Sequence, residues 1–172
     1  MPSPIGHGLA GITAGWAIAR PARSRGALFV QASILAATAI APDLDLLIAS
    51  HRGESHSIGA AAIAATIATL MRWPVASSRS RIWWAIFAAW ATHPLLDAFA
   101  LDTAAPIGIM AFWPFSSVYV QTGLEIFAPI SRSWQKPGFL RQTLLACLRE
   151  ILILTPICLG VWFRRRARTD RG

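Results

Sequence analysis

Charge is scarce in this chain. Of its 172 residues only 14% are Asp, Glu, Lys or Arg, against about 25% in an ordinary soluble domain. Hydrophobic residues make up 55%, and the mean hydropathy is +0.49. That composition excludes an ordinary water-facing globule and points to a membrane protein. Cysteine is nearly absent: Cys147 and Cys158 share one late apolar stretch, and neither has a His or Cys at ligand spacing. Neither a disulfide framework nor a thiolate metal site is expected. No basic segment precedes the first apolar stretch, so no cleavable signal peptide is expected. Hairpin-type turn signals, internal repeats and low-complexity linkers are missing too, which leaves a single domain, residues 1–172. The serines lack a His/Asp partner in a nucleophile-elbow context, which argues against a serine hydrolase.

What is present is a series of apolar stretches. They run from about Ile5 to Ala19, Ala27 to Ala41, Ile58 to Trp73, Ile82 to about Leu101, and Thr143 to Phe163. They are apolar all round, rich in alanine and leucine, and read as helices. The stretch DTAAPIGIMAFWPFSS reads as a loop or re-entrant segment, and SRSWQKPGFLR as a piece lying along the membrane interface. The expected fold is all-α, an integral membrane helical bundle with four to six apolar helices and a basic tail, residues 164–172. Several stretches fall short of the ~20 residues a full span needs, so tilt or burial inside the bundle is expected for them.

The formal net charge is +8. No nucleic-acid module accompanies it, and no nucleic-acid partner is expected. Eleven of the sixteen basic residues form three groups: Arg20, Arg23 and Arg25; Arg72, Arg79 and Arg81; and Arg164, Arg165, Arg166, Arg168 and Arg171. Each group borders the end of an apolar stretch, which is the positive-inside pattern. With these groups and the C-terminus cytoplasmic, the chain is expected to cross a membrane several times. The loop after the second stretch, the outer half of the fourth and the start of the first then share the outer side.

All four histidines fall in short polar clusters: His7 in GHG, His51 and His56 in HRGESHS, and His93 in HPLLD. Five of the eight acidic residues, Asp43, Asp45, Glu54, Asp97 and Asp102, lie in or beside them. Imidazole and carboxylate are ligands for zinc and similar divalent ions. His93 and Asp97, four apart, share a helix face, so they form either a ligand pair or a hydrogen-bonded pair beside Pro94. Asp43 and Asp45 follow a helix-ending proline, where the backbone is free to turn, and serve either as ligands and orienting groups or as turn aspartates. Gly53 permits a tight turn that folds His51 and His56 toward each other. Arg52 can pair with a phosphate or with Asp45, Glu54 is a candidate base, and Ser57 can cap the third helix. Four histidines and at least three aspartates on one side exceed the needs of one zinc ion and suit two or three. Such centres activate water and clamp the oxygens of a phosphoester. A non-enzymatic metal-binding protein and a structural or partner-binding membrane subunit remain as alternatives.

The order of these motifs resembles the YdjM-type inner-membrane proteins, described as membrane-bound metal-dependent hydrolases. The resemblance rests on Gly6-His7, Pro42-Asp43-Leu44-Asp45, His51 through Ser57, His93 through Asp97, and Trp113-Pro114-Phe115, and covers roughly Ile5 to Ser117. That family is distantly similar to zinc-dependent phospholipase C, which is all-helical and uses a His-x-x-x-Asp helix around a multinuclear zinc centre. The resemblance implies His93 and Asp97 as metal ligands, joined by His7, Asp43, His51 and His56. One to three zinc ions, with manganese the other candidate, would activate water against a phosphoester such as a lipid head group. Asp45 or Glu54 would orient ligands or move the proton, and Arg52 would neutralise phosphate charge.

Overall fold

The computed structural model describes residues 1–19, 22, 24–48, 52–102, 105–130, 135 and 137–169. Each of the five apolar stretches is a helix: α1 (Pro4–Ile18), α2 (Arg25–Ile40), α3 (Ile58–Leu70), α4 (Arg79–Ala98) and α5 (Phe139–Thr169). Four of them begin at a serine. The side chains of Ser3, Ser24, Ser57 and Ser78 accept the N–H of Gly6, Ala27, Ala60 and Arg81. Each satisfies one of the donors a helix start leaves unpaired. Ser57 thus caps the third helix, as its place in the sequence suggested.

Pro42 does not release the chain into an open turn, contrary to expectation. A 3₁₀ segment, Ala41–Ile48, takes over where α2 stops. Proline lacks the N–H for the next α-type bond, and the tighter winding carries the chain onward with Asp43 in its first turn. The other corrected turn is at HRGES. The left-handed residue is Arg52 (φ 68), not Gly53 (φ −79). The backbone N–H of Arg52 donates to Asp45 Oδ2 at 3.1 Å, and this bond helps hold a conformation that non-glycine residues seldom adopt.

α1 packs against α2, α4 and α5; α2 and α3 each pack on α4. Small residues set the close approaches, as is usual where the solvent is lipid. Gly11 and Gly15 of α1 face Leu35 and Ala39 of α2. Ala65 and Ala68 of α3 join Ala85, Ile86 and Ala89 of α4 in the main buried cluster. Two polar ties fix the helix ends. Near the start of α1, the Ser3 N–H donates to Glu150 Oε1 of α5 at 2.8 Å and the Ser3 hydroxyl donates to Oε2. At the opposite end, Arg165 donates to Gln31 Oε1 at 2.9 Å, and Gln31 Nε2 donates to the carbonyl of Val75. The second tie gathers the basic end of α5, the start of α2 and the α3–α4 loop. The described members of the three basic groups therefore share one end of the bundle; Arg20, Arg23 and Arg171 lie outside the described residues.

Among the described residues, two helical segments are long and apolar enough to cross a membrane, Arg25–Leu47 and Phe139–Ala167. The expected count of four to six spans is not established. α1 and α3, with 15 and 13 residues, rise only about 22 and 20 Å, short of the ~30 Å hydrocarbon layer. α4 has 20 residues, but Arg79, Arg81, His93 and Asp97 sit at its ends. Large apolar side chains face outward along the two long segments, among them Phe29, Leu47, Leu144, Leu152 and Phe163, as lipid contact requires. Cys147 and Cys158 are free. Between α4 and α5 the described chain is irregular, with isolated bridges joining Ala100 to Phe127 and Ile109 to Val120. Part of SRSWQKPGFLR, residues 131–134 and 136, lies outside the described residues, and its end enters α5.

A Cβ added at Gly11 would meet the Leu35 carbonyl oxygen at 2.8 Å and crowd Ala39, whereas one at Gly26 meets nothing. Gly11→Ala is expected to destabilise the protein by about 1–3 kcal/mol through overpacking. Gly26→Ala should leave the melting temperature in detergent unchanged or slightly raised. Equal melting temperatures for the two variants would contradict the α1–α2 contact.

Candidate metal centre

Four separate segments deliver the site. His7 sits in the first turns of α1, Asp43 and Asp45 in the 3₁₀ segment, His56 just ahead of α3, and His93 and Asp97 near the end of α4. All are helix ends opposite the basic end, so the fold collects them at one place. His7, His56 and His93 are completely buried, and Asp97 is 6% exposed.

The geometry converges on the imidazole Nε2 atoms. His93 Nε2 lies 3.0 Å from His56 Nε2, 3.4 Å from Asp43 Oδ1 and 3.5 Å from Asp97 Oδ2. His56 Nε2 lies 3.4 Å from Asp97 Oδ2 and 3.8 Å from Asp43 Oδ1. A tetrahedral ion with bonds of ~2.0–2.1 Å separates its ligands by about 3.3 Å, and these distances bracket that edge. His7 joins from the other side: its ring stacks on His93 with centroids 3.8 Å apart, and its Nε2 is 3.7 Å from Asp97 Oδ1. Asp97 therefore offers one oxygen to the His56–His93 pair and the other to His7.

The outer nitrogens are already engaged. His93 Nδ1 donates to the Ala39 carbonyl at 2.7 Å. His56 Nδ1 lies 3.2 Å from Asp45 Oδ2 and 2.9 Å from the Ser55 hydroxyl, which donates to the same carboxylate at 2.7 Å. Such bonds turn Nε2 inward as a lone pair and orient the ring. Two neutral Nε2 lone pairs at 3.0 Å repel unless a proton or a cation stands between them. Both nitrogens of His7, both oxygens of Asp97 and Oδ1 of Asp43 are buried without a hydrogen-bond partner. A dense set of unpaired polar atoms under apolar cover is costly, and a divalent cation is what this ligand set fits. Two triads meet the spacing of a metal site, His7–Asp43–His93 and His56–His93–Asp97.

His56 lies between helices. Burial pushes its pKa down, but Asp43, Asp45 and Asp97 outweigh this and raise it from 6.5 to about 10. A metal ion must displace that proton.

The remaining expected residues fall elsewhere. His51 lies outside the described residues. The Arg52 guanidinium is buried against Asp102, whose Oδ2 also accepts the Gly108 N–H at 2.8 Å. It is therefore engaged within the protein, and Asp45 receives only its backbone N–H. Glu54 is exposed, in the short turn that ends at His56. Trp113 serves the same end of the bundle: its carbonyl accepts the Gly59 N–H at 3.0 Å, at the start of α3. The supporting roles of Ser55, Asp102 and the Ala39 carbonyl were not legible in the sequence. Asp102 was at least visible as an acid beside the clusters, but nothing in its spacing names Arg52 as partner.

A family model described as YdjM inner membrane protein matches residues 1–167. No curated protein and no solved structure matches, so the likeness to zinc-dependent phospholipase C finds no support in these comparisons.

Two measurements test the site. Asp45→Asn keeps size but weakens the hold on His56 Nδ1, and should reduce zinc affinity by about 10–100-fold in a chelator competition titration; unchanged affinity would remove Asp45 from the ligand support. In metal-free protein, the raised His56 pKa stabilises the fold fully below pH 6.5, and that contribution is lost as pH rises through about 10. Melting temperature should therefore fall across that window, and the fall should be absent in His56→Gln.

Proposed function

From a chain that belongs to the YdjM inner membrane protein family, we propose a metal-dependent hydrolase that acts on a phosphoester, its centre on the periplasmic face and its C-terminus in the cytoplasm. The observation that carries this reading is the set of buried, unpaired His and Asp atoms converging from four segments. His56, His93, Asp43 and Asp97 would hold one zinc ion, with manganese the other candidate. His7 and the second oxygen of Asp97 would contribute to a further position, and His51 is reserved for the same centre by sequence alone. A bound divalent ion supplies Lewis-acid stabilisation and lowers the pKa of water.

The protein's own groups account for the rest. Asp45, assisted by the Ser55 hydroxyl, holds His56 with Nε2 facing inward. The Ala39 carbonyl does the same for His93. Asp43, with its side chain 12% exposed, is the most open of the ligand set, so substrate approaches past it. Glu54, exposed in the turn that carries His56, would be the group to accept a proton there and pass it to solvent. Arg52, held by Asp102, braces the turn that carries His56. One observation favours the alternative of a non-enzymatic metal site: all three described imidazoles are fully buried, and structural metal sites are closed.

The deciding experiment is metal analysis of detergent-purified protein beside folded His56→Ala and His93→Ala variants, followed by turnover of phosphoesters. Stoichiometric zinc or manganese, lost by at least about tenfold in both variants, together with metal-dependent hydrolysis, is expected. Bound metal with no hydrolysis of any phosphoester tested would leave the closed, non-enzymatic site. No bound metal in chelator-free preparations would refute both.

A further inference from the structure

Both α2 and α3 rest on α4, yet they do not pack against each other. The space between them is a cavity of about 700 Å³, within the roughly 300–1,000 Å³ of ordinary ligand sites. It is a slot rather than a bowl. Along α2 and the 3₁₀ segment its lining runs from Ile34 to Leu44, about 15 Å at helical rise. Ile63 and Ile67 of α3 line the facing wall and are themselves half exposed, so the slot opens sideways, toward whatever surrounds the bundle. In an inner membrane protein that is lipid.

Polarity in the slot is graded. Trp73 closes the end nearer the basic groups, while Glu54 and Ser55 mark the other. Ser55 is the residue whose hydroxyl reaches both Asp45 and His56 Nδ1, so the polar end of the slot adjoins the metal centre. Partway along, Thr38 lines the cavity with its apolar part, its hydroxyl being shielded from the slot. A ligand with a long hydrocarbon tail and a polar head matches this order of surfaces.

We propose that the α2–α3 slot holds one acyl chain of a bilayer lipid, entering sideways from the membrane. The polar head then stands at the Glu54–Ser55 rim, against the metal centre. This rests on the hydrolase reading for the fate of the head group, and names a membrane phospholipid as the substrate class.

The full chain is placed in phosphatidylethanolamine–phosphatidylglycerol vesicles containing trace phosphatidylethanolamine with a diazirine on one acyl chain. After irradiation, cross-links are located by peptide mass spectrometry, and bound metal is measured on the same samples. Label is expected on slot residues of α2 and α3 above the level on the outer face of α5. It should fall by about tenfold in Ile63→Trp, which fills the slot, with bound metal retained. Ala37→Phe, at an exposed lining position, repeats the test should the first variant fold poorly. Label spread evenly over the outer surface, or unchanged by either substitution, overturns the proposal. So does a covalent dimer joined through position 67 of an Ile67→Cys variant by a thiol cross-linker, which would make a second copy of the chain the occupant. Slot labelling without phosphoester turnover would sustain the lipid site and sink the hydrolase reading. Turnover without slot labelling would do the reverse.

Discussion

Three imidazoles and three carboxylates stand within one small, nearly dry volume at one end of an apolar bundle. Taking such groups out of water is among the largest costs a protein can carry. It is tolerable only if opposite charge is close. Part of the compensation is proton sharing, as in the raised His56 pKa. The atoms left unpaired on His7, Asp43 and Asp97 are the part that a cation would complete. Most other features of the chain serve to hold this arrangement in place.

The scaffold does so from the edges. The Ser57 cap and the Trp113 carbonyl secure the start of α3 two residues after His56. The Arg52–Asp102 pair ties the turn before His56 to the segment following α4. The Glu150–Ser3 contact draws the start of α1 against α5 and so sets the height of His7. Glycine and alanine at the helix crossings let α1, α2 and α4 approach closely enough for ligands on different helices to meet. Stability and site geometry therefore have common causes, and a change at a crossing such as Gly11 would disturb both.

The same architecture gives the molecule two chemically distinct ends and an apolar slot leading to one of them. Basic residues collect around the Arg165–Gln31–Val75 tie, while the buried His and Asp cluster lies at the other end. That polarity matches the positive-inside rule without having been used to locate the histidines. The slot and the buried His and Asp cluster share the Ser55 corner.

The five helices, the Ser57 cap of α3 and the ligand candidates His7, Asp43, His56, His93 and Asp97 were legible in the sequence. Hydropathy, capping and i,i+4 spacing are local properties, read within a few residues. The tertiary structure decided the rest. It decided that the left-handed residue is Arg52 and not Gly53, because the Asp45 carboxylate takes the Arg52 N–H. It decided that the Arg52 guanidinium turns to Asp102, fifty residues on. That α1 and α3 fall short of a full span was already legible, because both helices end close to where their apolar runs do. The sequence by itself determined which chemical groups are present and which helices carry them. Whether their atoms meet within bonding reach of a single ion depends on how four helix ends converge, and that is set by contacts between residues tens of positions apart.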